Sequence, residues 1–347
     1  MRKILIIASD NDPNVNVVAW ALRSKGYDVD YLDTKLAFTR DRVNIEISRN
    51  IRSIFIGGTN VESYDSIWLR RVGSPVASEL LAADSKKHVL GETKTLADNF
   101  LYLLEKNFTH RWFNIPTYTF AAENKLRQLD ACRELGIPFP ETIVSNTPSE
   151  IRKFVELHKE VVVKPFDPFS WDLPDGGRLM CFANSVDLDG ISKVTDQELK
   201  ICPAIYQRKI DKVADVRVVG VGQATFSCLI KTKSLALDFR LHQGNQEEIT
   251  YEYYDLPEAY KRRLVGLMAN FKVQFVSSDF AMDKDGNLHF LDLNPGGAYL
   301  FVEAYGGGKN HIVSHICSKL SGEQASKFPG LREYNMAAHD NNTYGYR

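Results

Sequence analysis

Val276–Glu303 reads VSSDFAMDKDGNLHFLDLNPGGAYLFVE, and this stretch decides the fold. Apolar runs flank Asp283-Lys284-Asp285-Gly286-Asn287. Asp-Gly and Asn tolerate the positive φ of a tight turn, so a β-hairpin is predicted. Asp279 falls in its first strand. Asp292 falls in the second, between Leu291 and Leu293. Residues two apart in a strand share a face, so Asp292 and Asn294 project together, and the partner strand adds Asp279. An acid inside an apolar strand is costly unless it is paired or metal-bound. Three hard oxygen donors on one face suit Mg²⁺, which keeps waters and shares phosphate oxygens. The alternative is two solvated carboxylates beside a turn-forming Asn-Pro.

The chain has 347 residues, enough for two or three lobes around substantial cores. Lys and Arg number 43 against 44 Asp and Glu, a net charge of -1, so no basic excess points to nucleic acid. The start, MRKILIIASDNDPN, is not a signal peptide, because its apolar run is short and Asp10 and Asp12 interrupt it. No apolar run is long enough to span a membrane. The five cysteines are scattered, without C-x-x-C, and read as reduced thiols of a cytoplasmic protein.

Strand KILIIA (Lys3–Ala8), a helix over 14–25 and a strand over 29–32 open an α/β lobe with a parallel sheet. The turn Ser9-Asp10-Asn11-Asp12-Pro13 lacks the glycines of a dinucleotide site. Residues 43–56 form a hairpin. SIWLRRV (Ser66–Val72) is a strand ending in paired arginines, and a long helix covers 78–106. Leu126, Leu129, Ala131 and Leu135 make a helical stripe that Gly136 stops. Thr147-Pro148-Ser149-Glu150 is a capping box with Pro at the first helical position. Val161-Val162-Val163-Lys164 is a β-branched strand whose last residue points a compact charge into a cleft. Strands follow near 204–210, 215–220 and 224–231, and helices over 257–272 and 310–320. Gly306-Gly307-Gly308-Lys309 misses the Walker pattern at Glu303 and Asn310. His311 and His315 share a helical face, but Ile312 stands where H-E-x-x-H has glutamate, so zinc is not expected. The tail after Glu323 has little pattern and either packs on the N-terminal lobe or frays.

Asp279 with Asp292-Leu293-Asn294-Pro295 resembles the metal-binding end of the ATP-grasp ligases. The fuller run FLDLNPGGAYLFVE resembles the subgroup that modifies ribosomally made peptides, the microviridin or graspetide ligases. Asn124-Lys125 through Gly136-Ile137-Pro138 resembles the segment opening the ATP-grasp domain, where the lysine, here Lys125, reaches nucleotide phosphates. Lys164 matches the family's α- and β-phosphate lysine. Ala204–Ile210 resembles the strand and hinge that hold adenine after Gln207, through backbone groups of Lys209 and Ile210, with Asp211 on ribose. Arg208 stands where many relatives have glutamate. Phe166–Gly177 sits where the family has its phosphate-covering loop. Arg217 in Asp215-Val216-Arg217 and Arg240 in Leu237-Asp238-Phe239-Arg240 resemble arginines that stabilise charge at the forming acyl phosphate. Plain salt bridges to Asp215 and Asp238 are the alternative. Trp68, Arg70 and Arg71 partly match a further family element, or are edge-strand charges.

The resemblance implies an α/β fold with an α+β C-terminal part, in ATP-grasp organisation. An N-terminal α/β domain covers 1–115, a central lobe 116–200, a C-terminal ATP-grasp lobe 201–325 and a tail 326–347. It implies ATP and Mg²⁺, with Asp279, Asp292 and Asn294 on the metal. It implies a ligase that forms ester or amide bonds through an acyl phosphate, macrocyclising a precursor peptide that carries a leader. The enzyme would be a cytoplasmic homodimer with no nucleic-acid or membrane partner. A ligase for free amino acids or a peptide end, and a non-catalytic nucleotide-binding regulator, are the alternatives. The hairpin over 225–254, rich in Tyr251, Tyr253 and Tyr254, is the candidate peptide-docking surface.

Overall fold

The computed structural model describes residues 2–9, 11–38, 43–50, 52–76, 81–108, 111–166, 170–172, 178–180, 183–233, 237 and 247–340. The N-terminal lobe holds a parallel sheet in the order Asp28–Leu32, Lys3–Ile7, Ser66–Leu69, Trp112–Phe113. Lys3–Ile7 is apolar on both faces because both are covered. Ile4 and Ile6 pack with Val15, Val18 and Leu22 of helix Pro13–Arg23, while Leu5 and Ile7 pack with Phe100, Leu101 and Leu104 of helix Ala83–Phe108. Asp12 caps the first helix by accepting from Asn14 N, and Pro13 pre-sets its first turn.

The strand order reverses between Lys3–Ile7 and Ser66–Leu69, where an open α/β sheet ordinarily takes its ligand. Here the chain's own loop fills that crevice. Asn14 Oδ1 accepts from Tyr299 N at 3.0 Å and Leu300 N at 3.3 Å, and Tyr299 OH donates to Asn14 O at 2.6 Å. Arg70 and Arg71 both donate to Gly296 O. Arg70 directly follows an inner strand and is 2% exposed, so the edge-charge reading of this residue is corrected.

The central sheet is antiparallel, in the order Asn184–Asp187, Glu160–Lys164, Ala204–Arg208, Thr142–Ser145. One face buries Val161 and Tyr206 against Ile151 and Val155 of helix Pro148–His158. The register pairs Ile205 with Lys164 and Gln207 with Thr142, so alternation sends these four to the other face. The predicted capping box does not form. Thr147 makes no side-chain cap bond, and its N–H donates to Ser145 Oγ at 2.9 Å.

The C-terminal sheet runs Ile249–Tyr253, Ala224–Thr232, Lys212–Val221, Phe275–Asp283, Leu288–Asn294, all antiparallel. One face packs on helix Glu258–Phe271; the other packs on helices Leu300–Ala304 and Ile312–Ser321. Helices Pro116–Ala122 and Lys125–Glu134 belong to this body, since Ala122, Ala131 and Cys132 share a core with Val216 and Phe280. Residues 116–137, expected in the central lobe, thus pack against the C-terminal sheet. Within the tail, Leu331–Asp340 is a helix. Its Tyr334 meets Trp20 edge-on at 5.4 Å, and Phe328 lies 6.1 Å from Tyr27. Among the described residues, no helix is long and apolar enough to cross a membrane.

Candidate active site

The hairpin predicted from Val276–Glu303 is present, with Gly286 at φ 81° in its turn. Asp283 Oδ1 accepts from Asp285 N and Asn287 N, and Oδ2 lies 3.0 Å from His289 Nε2. The His289 contact first, then the Asn287 bonds, hold the Asp283 carboxyl far below its usual range. The strands pair Asp279 with Asp292, then Phe280 with Phe290, so Leu291 is an extra residue. This bulge reverses the parity of the second strand. Leu288 and Phe290 face the core under helix Glu258–Phe271, and so does Leu293 beyond the bulge. Without the extra residue Asp292 would point into that core. With it, Asp292 and Asn294 share the face of Asp279, Ser277 and Arg217.

Helix Lys125–Glu134 sets the next charge. Gln128, 2% exposed, donates to Leu293 O at 2.8 Å and accepts from Leu293 N at 3.1 Å, which caps the sheet edge as a strand would. Lys125 lies one turn earlier on the same helix face, and its Nζ reaches Asp292 Oδ1 at 3.2 Å. Arg217 is buried. Its Nε sits 2.7 Å from Asp279 Oδ1, and its Nη1 donates to Ser277 Oγ at 2.8 Å. The plain salt bridge from Arg217 to Asp215 does not form, because Lys212 takes Asp215 at 2.7 Å. Lys212 was not singled out in the sequence, since a lysine opening a strand looks solvated; only the fold buries it.

Lys164 ends its strand on the cleft face of the central sheet. Burial pulls its ammonium down to about 8. Asp292 and Asp279 pull the other way, while Lys125 and Lys212 add to the fall, so Lys164 senses all four charges across the cleft. Gln207 is buried on the same face. Its Nε2 donates to Thr142 Oγ1 at 2.9 Å, and its Oε1 has no partner among the described residues. At the hinge, Lys209 N–H donates to Glu160 O at 3.3 Å and Ile210 O accepts from Lys212 N at 2.8 Å. Those two groups are engaged within the chain. The Lys209 carbonyl and the Ile210 N–H make no hydrogen bond among the described residues. The Lys209 ammonium pairs with Glu160 at 2.7 Å, and Asp211 is exposed.

Arg240, Asp238 and Gly176-Gly177 lie outside the described residues. Tyr251 stacks on Tyr305 at 4.7 Å, and Lys309 sits over Tyr253 at 4.3 Å, so these aromatics pack on their own chain. His315 packs edge-on to Phe226 at 5.0 Å. Sequence reading missed Asn114, which is 1% exposed at φ 64°. It accepts from Gln274 N and Phe275 N and donates to Phe275 O and Pro295 O, tying both hairpin strands to the N-terminal lobe. A positive-φ Asn after an aromatic pair leaves no trace in a single sequence. Among the described residues, no three acids, histidines or cysteines cluster as metal ligands. The candidate set is two carboxylates and a carboxamide, a charge suited to an ion that shares phosphate oxygens.

The chain matches solved structures along nearly its whole length. One is a Chryseobacterium gregarium RiPP-associated ATP-grasp ligase in complex with ADP and a leader and core peptide, at TM-score 0.81 and 21% identity, over 95% of this chain and 98% of that one. The chain has the ATP-grasp fold. A second match is macrocyclase MdnC bound with precursor peptide MdnA from Microcystis aeruginosa, at TM-score 0.78 and 20% identity, over 92% and 100%. A third is ATP-grasp ligase PsnB with minimal precursor, Mg and ADP, at TM-score 0.70 and 21% identity, over 92% and 96%. No protein-family model matches the sequence, and no curated protein matches it significantly.

Proposed function

We propose that the protein is an ATP-dependent carboxylate ligase that joins side chains of a ribosomally made precursor peptide. The observation that carries this is the charge arrangement of one cleft in an ATP-grasp frame. Lys125, Lys164 and Arg217 converge there on Asp279 and Asp292. Three structural neighbours hold ADP or peptide in their own sites, which supports the nucleotide and the peptide partner.

The residues fit ATP. Lys164 and Lys125 offer ammonium groups to phosphates. The open Lys209 carbonyl and Ile210 N–H lie on opposite sides of one trans peptide, so one of them at a time meets an adenine edge. The orphaned Gln207 Oε1 accepts an exocyclic amine. Asp211 is placed for ribose. Asp279, Asp292 and Asn294 fit Mg²⁺, which neutralises phosphate charge when bound. The substrate carboxylate attacks the γ-phosphorus to give an acyl phosphate and ADP, and a hydroxyl or amine then displaces phosphate. Arg217 stands beside this position and stabilises developing charge, with Arg240 its expected second. No enzyme nucleophile takes part. A homodimer at work in the cytoplasm is part of the same reading and rests on the family resemblance.

The test is to incubate enzyme, ATP and Mg²⁺ with an acidic, Thr- or Lys-rich peptide encoded beside the gene, then weigh the product. Each bond formed removes one water. An unchanged peptide beside ligation of free amino acids would overturn the peptide reading.

A further inference from the structure

The Gly296 peptide joins the N-terminal lobe to the candidate metal end of the hairpin. Its N–H donates to Asn294 Oδ1 at 2.9 Å. Its carbonyl accepts from Arg70 Nη1, and from Arg71 Nε at 2.9 Å. A Cβ at Gly296 would lie 2.7 Å from Arg70 O, and one at Gly297 would lie 2.4 Å from Ser277 Cβ. Both glycines are therefore required by close approach, and the loop has one way to sit.

Arg70 is held as firmly as the loop it holds. Its Nε lies 3.4 Å from Asp12 Oδ2, and its guanidinium lies over the Tyr299 ring at 5.9 Å. Burying an ion costs several kcal/mol unless its partners are well placed, and apolar side chains often stabilise such a joint equally well. What they lack is direction. A planar guanidinium fixes where its acceptor points. The acceptor here is the carbonyl of Gly296, the residue whose N–H, across its own Cα, occupies one lone pair of Asn294 Oδ1. The second lone pair is then left in a set direction, on the face shared with Asp292 and Asp279.

We propose that Arg70 is a positioning residue for the divalent-cation site, acting through the tightly seated residue Gly296 on the Asn294 carboxamide, with Asp12 holding Arg70. This rests on the reading of Asn294 as a metal ligand. The probe is Mn²⁺ in the presence of saturating ADP, its free fraction read by electron paramagnetic resonance. ADP binding without metal, in a chelator, is read by calorimetry. Arg70→Lys keeps the charge and loses the fork. It should weaken Mn²⁺ binding about tenfold or more, the usual cost of losing an outer-shell partner, while metal-free ADP affinity stays within about twofold of wild type. Asp12→Asn keeps a good helix cap and removes the counter-charge of Arg70, and should shift Mn²⁺ in the same direction by less. If Arg70→Lys does not fold, Asp12→Asn decides. Folded variants that bind Mn²⁺ as wild type does would overturn the positioning role alone. Wild type that binds ADP but no Mn²⁺ would overturn the metal assignment and this proposal with it. Equal loss of metal-free ADP affinity would make Arg70 a general structural residue and overturn the proposal.

Discussion

Two polar regions of the molecule use the same residue types in opposite ways. At the carboxyl edge of the parallel sheet, Arg70 and Asn14 are 2% and 7% exposed and bonded to the chain's own loop. On the antiparallel sheet, the Asp292 and Asp279 side chains keep 37% and 30% of their exposure, although each already has a cation beside it. Breaking a buried pair costs about 3–5 kcal/mol, because it strands an uncompensated charge. An accessible pair is worth only about 0–1 kcal/mol. The first region therefore holds the lobes together. In the second, the accessible Lys125–Asp292 pair exchanges partners at little cost when an ion or phosphate arrives, while Arg217 stays buried beside Asp279. Accessibility, not composition, separates the joint from the site.

The comparison breaks most visibly at Asp292. Asp292→Ala should lower peptide-dependent ADP release by on the order of 10² to 10³, the usual loss when one electrostatic partner leaves a reacting centre. Unfolding in urea should shift by no more than about 0.5 kcal/mol, as for a surface change. Near-normal turnover, or a large loss of stability, would move Asp292 into the buried class.

Lys164 sharpens the contrast through pH. Burial lowers its pKa from 10.5 to about 8. The unfolded lysine still holds its proton between these values while the folded one has released it. Stability therefore rises with pH from 8 to 10.5, and below 8 the buried ammonium is carried at a cost. Phosphate favours the charged form, so ADP binding takes up a proton above pH 8, and affinity falls toward about tenfold per pH unit. Calorimetry in buffers of different ionisation heat measures that uptake. Lys164→Arg should flatten the profile. A wild-type profile flat to pH 10 would place this ammonium away from the phosphates.

The smallest effect on binding is expected at Glu303. Its carboxylate, 8% exposed, accepts from Val313 N at 2.7 Å and Leu331 N at 2.8 Å, capping two helices at once. Burial pushes its pKa up to about 6 despite those bonds. Glu303→Gln keeps one acceptor and orphans one N–H, at about 1–3 kcal/mol. Hydrogen exchange should quicken in Leu331–Asp340 while ADP affinity holds. A matching loss of ADP affinity would mean that the joint and the site are not separable.

The hairpin, the parallel opening and the lysine-ended strand were legible because turn chemistry and alternation are local. The face shared by Asp292 and Asn294 followed from period two. That this face is not the core depended on Leu291, an extra residue that no spacing rule marks. Long-range polar bonds were illegible for the same reason. Glu303 caps a helix 28 residues away, so beyond the local Gly330–Glu333 bond part of the cap of Leu331–Asp340 is invisible in its own segment. Gln128 acts on Leu293 across 165 residues, and in its own helix it looks like a solvated residue. The hinge was half legible. Its position was marked by Gln207, but which backbone groups stay open depends on Glu160 and Lys212.

Gln128 has a mechanical consequence. By binding both backbone groups of Leu293, it makes helix Lys125–Glu134 travel with the hairpin, whereas Lys164 travels with the central sheet. The two ammonium groups therefore ride on different bodies, and they repel. Asp292 and Asp279 offset that repulsion in the empty cleft. On the proposed function, a polyanion between the two lysines would attract both bodies, a triphosphate more strongly than a diphosphate.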